Sequence, residues 1–198
     1  MRGLILALGV FIIIGEHISC VPVIEIEANK DVSFISYRVY HFFHSVEGIN
    51  KHVSCKIDID STTDKIIGVS AKAEVDSFDS GNEARDKTAM KAIESDKFPA
   101  VAFQSDSIAY DSDTTISVLG KLTFHGVTKK ITIPITIVPK TYETICDGSV
   151  RLDFDKFNVE RPDLLFIPVG NTFIIRFHVV FDWHLQRQEQ MRYENKKG

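Results

Sequence analysis

Along most of the chain beyond residue 28, apolar side chains recur at every second position. The clearest case is LGKLTFHGVTKKITIPITI, residues 119–137. Ile116, Val118, Leu122 and Phe124 share one face before the break, and Ile131, Ile133, Ile135 and Ile137 share one face after it. The polar HGVTKK between them contains a glycine, so two strands joined by a tight turn are predicted. Other runs repeat the pattern. Ile35, Tyr37, Val39 and His41 form one face, and Val53, Cys55, Ile57 and Ile59 a second. Ile67, Val69, Ala71, Ala73 and Val75 form a third, with Gly68, Ser70, Lys72, Glu74 and Asp76 pointing away. Val101 and Phe103 open another strand, and residues 141–155 and 171–184 complete the set. In the last, Phe173, Ile175, Phe177, Val179 and Phe181 face one way, and Ile174, Arg176, His178, Val180 and Asp182 the other.

One segment breaks the rhythm. In SGNEARDKTAMKAI, Ser80–Ile93, Ser80 and Glu83 have capping-box spacing. Ala89 and Ile93, with Met90, give a short apolar face at helical spacing, and Glu83 and Lys87 form a favourable i,i+4 pair. The pattern therefore predicts an all-β fold of eight antiparallel strands with one short helix inserted between strands. One-sided strands in that number are best satisfied by closure into a barrel, which removes unpaired edges. An eight-stranded barrel is filled by its own side chains or holds one small ligand. Parity alone leaves that choice open.

The ends of the chain differ from its middle. Met1–Arg2 precedes Leu4–Ile14, an apolar run with the length of a signal-peptide core. Residues 1–20 are expected to be an export signal, with an uncleaved anchor as the plain alternative. Ser19–Cys20 can be read as a lipoprotein site, although His17 fits that motif poorly. Residues 21–184 form the expected barrel domain, and residues 185–198 a polar tail that is a solvated helix or disordered.

Composition narrows the function classes. A formal net charge of −4, with no long Lys/Arg stripe, argues against nucleic acid as a partner. Fourteen phenylalanines against one tryptophan suit a β-rich interior. Cys55 and Cys146 sit on the apolar parity of their strands. Export permits a disulfide between them, and two buried free thiols fit equally well. Of the six histidines outside the leader, no pair has a convincing zinc spacing, so no metal is expected. His41 and His44 are three apart in an extended segment and so point to opposite faces. His41 is expected inside or at the rim of the barrel, hydrogen-bonded to a neighbour. Arg85 and Asp86 read as helix-start chemistry and His125–Gly126 as turn chemistry. No nucleophile elbow, phosphate loop or paired-carboxylate motif appears, so no catalytic residues are expected and the protein is read as a non-enzyme.

Six segments in order carry a resemblance. They are SFISYRVYHFFHSVEG, DSFDSGNEARDKTAM, DKFPAVAFQSDSI, LGKLTFHGVTKKITIPI, and the pair DFDKFNVERP and VGNTFIIRFHVVF. The run from Leu122 to Lys129 is the most specific piece. Together, over residues 30–182, they resemble the YceI-like family of exported, lipocalin-like β-barrels that bind polyisoprenoid chains. Thr88 stands where the family's helix motif usually carries histidine, and RPDLLFIPVG is unusually rich in bulky residues.

Joined to the parity, the resemblance implies that the inward side chains line an elongated apolar cavity. The expected ligand-binding residues are Tyr37, Val39, His41, Val69, Phe103, Val118, Leu122, Ile133, Ile135, Ile175 and Phe177. Leu164, Leu165 and Phe166 are expected over one opening, and Phe42 or Phe43 over another. No cofactor is implied beyond the ligand itself, a polyisoprenoid or prenyl quinone. Carriage, storage or stress protection outside the cytoplasm, in the periplasm or its equivalent, is the implied role, with membrane proximity through lipid exchange. A ligand-free barrel acting as a structural or stress interaction protein is the alternative, followed by a lipid-modifying enzyme. The oligomeric state stays open, a dimer included.

Overall fold

The computed structural model describes residues 22–161, 163–164 and 167–182. The expected leader, Leu165, Phe166 and the polar tail lie outside the described residues, as does the side chain of Leu164. The strands are β1 (Val23–Glu27), β2 (Phe34–Tyr40), β3 (Ser45–Asn50), β4 (Val53–Asp60) and β5 (Lys65–Glu74). After the helix α1 (Glu83–Ala92) come β6 (Ala100–Tyr110), β7 (Thr115–Phe124), β8 (Val127–Pro139) and β9 (Thr144–Asp153). A small pair, β10 (Asp163–Leu164) and β11 (Ile167–Pro168), precedes β12 (Thr172–Phe181).

The main sheet is antiparallel and curled, with ten strands in the order β1-β4-β5-β6-β7-β8-β9-β12-β2-β3. This corrects the expected eight-stranded closed barrel in two ways. The added strands are β1 and β3, both short, and they form the two edges of a half-barrel that no ladder closes among the described residues. Only Lys51 and His52 separate β3 from β4, and side-chain bonding takes the place of pairing there. Asn50, fully buried, donates to the Glu74 carbonyl at 2.8 Å and accepts from the His52 amide at 2.7 Å. A single antiparallel bridge, Ile49 with Asp79, covers part of the β3 edge. At the other edge, the alternate positions Glu25 and Glu27 reach Lys56 at 2.7 and 3.2 Å, and such charges discourage edge-to-edge pairing.

The β7–β8 hairpin follows its sequence pattern closely. His125 (φ 50°) and Gly126 (φ 70°) both take the left-handed backbone that a two-residue hairpin turn matching strand twist requires. A Cβ on Gly126 would stand 2.6 Å from Phe98, so only glycine fits there. In β5 the parity reading fails at one place. Asp58 pairs with Gly68 and Ile59 with Ile66, which leaves Ile67 as an extra residue in a bulge. Ile66 therefore turns inward at 3% exposure, and Ile67, expected inside, lies outside at 45%. Beyond the bulge Val69, Ala71 and Ala73 keep their expected face.

The helix forms where predicted but starts differently. Its N-cap is Asn82, whose side chain accepts from the Arg85 amide at 3.0 Å, not Ser80. Glu83 and Lys87 pair at 2.6 Å as the spacing predicts. The pairing registers set the two ends of the curl. Ile59, Ile66, Ile116, Ile135 and Phe181 gather at one end and are tightly buried. Val39, Phe124, Leu152 and Phe173 gather at the other, nearer α1.

Candidate ligand cavity

The curled sheet encloses a cavity of about 660 Å³. That lies inside the range of about 300–1,000 Å³ typical of small-molecule sites. Strands β2 to β9 and β12 each send side chains to its wall, and α1 covers it with Ala84, Thr88 and Ala89, joined by Ile93 just past its end. The wall is almost wholly apolar, its polar members being few: Tyr37, His41, His44, Cys55, Asn82, Arg85, Thr88 and Cys146.

Most of the residues expected at the site come together there. From β2 and β12 these are Tyr37, Val39, His41, Ile175 and Phe177. From β5 to β8 they are Val69, Phe103, Leu122, Ile133 and Ile135. Val118 departs: it is fully buried in the packed core and does not reach the wall. Phe42 and Phe43 depart too. Instead of covering an opening, they project from the β2–β3 turn at 83% and 66% exposure, edge to face on one another at 5.1 Å. The expectation that Leu164, Leu165 and Phe166 cover the other opening falls on side chains outside the described residues, although nearby Val169 lines the wall.

Several wall residues were absent from the expected set. Val53, Cys55 and Ile57 from β4, Val150 and Leu152 from β9, and Phe154 just after it carry the same parity signal. The helix face of Ala89, Met90 and Ile93 was legible as apolar, but its orientation toward the cavity depends on the tertiary fold.

Local hydrogen bonding fixes how α1 enters over the mouth. Arg85 Nε donates to Ser80 Oγ at 2.9 Å, and one Nη of Arg85 donates to the Ser80 carbonyl. The Ser80 amide donates to Asp86 at 3.1 Å, and the Ser80 hydroxyl donates to the other oxygen of the same carboxylate. Arg85 and Asp86 thus tie the segment before the helix to its first turn. Tyr37 lies beneath, its ring 5.4 Å from Phe78. Burial first, then the Asp86 carboxylate, raises the Tyr37 phenol above its ordinary pKa, against an opposing effect of Arg85.

The two cysteines are free thiols on the wall, which settles the open choice against a disulfide. Burial pushes both up to about 12, with the neighbouring Cys55 adding to the shift at Cys146. They stay protonated and behave as small apolar groups.

His41 differs from its expected role. It is 7% exposed and lines the cavity, yet neither ring nitrogen has a hydrogen-bond partner among the described residues. His125 serves the scaffold. Its Nδ1 pairs with the Phe157 carbonyl at 3.1 Å, and its ring lies 4.4 Å from that of Phe98. Among the described residues, no group of three or more His, Cys, Asp or Glu side chains is arranged to hold a metal ion.

Residues 27–181 match the family described as the YceI-like domain. The chain belongs to that family. A UPF0312 protein of Pseudomonas putida is 29% identical over 115 residues, covering 57% of this chain and 60% of that protein's length. A UPF0312 protein of Vibrio vulnificus is 28% identical over 134 residues, covering 63% of this chain and 71% of its own length. Among solved structures, BcnA of Burkholderia cenocepacia superposes with a TM-score of 0.70 at 24% identity, covering 77% of this chain and 98% of BcnA. A domain of Saccharophagus degradans described as polyisoprenoid binding gives a TM-score of 0.63 at 11% identity, covering 79% of this chain and 97% of the domain. At these identities the likeness to these two solved structures is one of fold. The cavity itself is read from this chain's own residues.

Proposed function

We propose that this YceI-like protein holds a long apolar lipid of isoprenoid type in its cavity, for carriage, storage or protection of that lipid outside the cytoplasm. The observation that carries the reading is the cavity of about 660 Å³ with its nearly unbroken apolar wall. A dry apolar space leaves its lining without contacts on one side, and an apolar chain restores them. Each methylene moved from water into such a site contributes about 0.8 kcal/mol, so a long tail needs no charged anchor. The description of the S. degradans domain as polyisoprenoid binding supports the choice of chain.

The same cavity weighs against the solid, ligand-free barrel. In that alternative the inward Ile133, Ile175 and Phe177 would meet in the middle, and here they stand around open space. The Leu4–Ile14 run supports export to the periplasm or its equivalent, with lipid tethering through Cys20 as a variant. Exposed Phe42 and Phe43, close in sequence to the wall residues His41 and His44, suit a tip that touches a bilayer during lipid exchange. The test is organic extraction of gently purified native protein followed by mass spectrometry. A stoichiometric apolar lipid is expected. A clean extract with no uptake of added prenyl alcohol or prenyl quinone would favour the interaction protein, and conversion of the added lipid would favour an enzyme.

A further inference from the structure

Among the described residues, His41 is a buried polar group with both ring nitrogens left without a partner by the scaffold. A neutral imidazole carries one donor and one acceptor, and burying both without partners is unfavourable. Here both are buried. The backbone holds the ring in place: the His41 amide donates to the His44 carbonyl at 2.8 Å, closing the turn after β2. The rings of Phe43 and His44 lie 5.6 and 5.7 Å away and offer no hydrogen bond to it. Among the described residues nothing in the fold uses these nitrogens, whereas the comparably buried His125 makes a hydrogen bond to the Phe157 carbonyl.

Position adds to the argument. His41 follows β2, whose Val39 pairs with Phe173, so it belongs to the end of the cavity nearer α1 rather than the tightly packed isoleucine end. An apolar chain inserted toward the isoleucine end leaves its head group at this level. The geometry points to His41 as the hydrogen-bond partner of the ligand's head group, and to a head with an uncharged hydroxyl or carbonyl oxygen. This rests on the lipid reading above and deepens it.

The surroundings favour an uncharged head over a diphosphate. A buried charge needs a dedicated counter-charge, and the rest of the wall is almost wholly apolar. Arg85, the guanidinium on the wall, already spends Nε and one Nη on Ser80 and sits beside Asp86.

The test compares three probes of one chain length: a prenyl alcohol, its diphosphate and the headless hydrocarbon. Affinities are measured on the wild-type chain, His41→Phe and His41→Gln. The wild type should bind the alcohol about three- to tenfold more tightly than the hydrocarbon, the worth of one such hydrogen bond. His41→Phe should erase that preference while still binding the hydrocarbon, which doubles as the check on folding. His41→Gln should retain part of it. The ring nitrogen resonances of His41 should move on adding the alcohol and stay put with the hydrocarbon. A preference that survives in His41→Phe, equal wild-type affinities for alcohol and hydrocarbon, or tightest binding of the diphosphate would each overturn the assignment. Failure of the wild type to bind any probe would overturn the lipid reading along with it.

Discussion

His125 Nε2 stands 3.2 Å from Glu94 Oε2, at ion-pair distance but without the alignment of a hydrogen bond. This contact links the β7–β8 turn to the segment following α1. Glu94 itself has a left-handed backbone (φ 47°) and also pairs with Lys97. The His125–Gly126 turn is thus latched to the segment that follows the helix over the cavity.

The latch has a pH dependence of defined sign. Lys97 first, and His125 to a smaller extent, hold the Glu94 carboxyl below its ordinary range. A depressed carboxylate contributes stability above its unfolded pKa and loses it as pH falls through the folded value. Acid should therefore loosen the segment after α1, and Glu94→Gln should lower the melting temperature at neutral pH, the difference from the wild type vanishing as pH falls, so that the variant's acid limb is flatter. Thermal melts from pH 7 to pH 3 check this. An unchanged acid limb in the variant would show that the latch contributes nothing.

The inward parity of β8 has a sharper consequence. Ile133 and Ile135 are 8% and 7% exposed, whereas Thr132 and Thr136 lie on the exposed face. Ile133→Asp should cost several kcal/mol or prevent folding, because it places an unpaired charge in an apolar interior. Thr132→Asp should stay within about 1 kcal/mol. Denaturant titration of the two variants tests the assignment, which equal losses would contradict.

Cys55 and Cys146 should be inert in the folded protein. With both thiols pushed up to about 12, almost none of either is thiolate at pH 8. A thiol reagent at that pH should label neither until the chain is unfolded, and label both afterwards. Fast labelling in native buffer would mean that the cavity wall opens.

Much of this architecture was legible in the alternation of side chains. The β7–β8 hairpin, the inward face of β12 and the interrupting helix follow from residue spacing alone. The bulge at Ile67 did not, because it exists only in the register between β5 and its partner β4. The edges were missed for a similar reason. β1 and β3 are short, with too little alternation to set their places at the two edges of the sheet. The cavity was only half legible. An inward isoleucine has the same sequence pattern whether it meets another side chain or faces open space, so the separation of the walls had to come from the structure. Val118 shows the limit: it shares the parity of Leu122, yet it packs into the core rather than the wall. His41 shows the converse, since parity placed it inward and nothing in the sequence indicated that its ring would lack a partner.

The proposed function requires that a long apolar chain occupy the space within the curled sheet. The most direct measurement is native mass spectrometry of gently purified protein, paired with organic extraction of the same sample. One apolar lipid of isoprenoid type per chain is expected, released when Ile133→Asp disrupts the wall. A bare polypeptide mass, with no uptake of added prenyl alcohol or prenyl quinone, would contradict it.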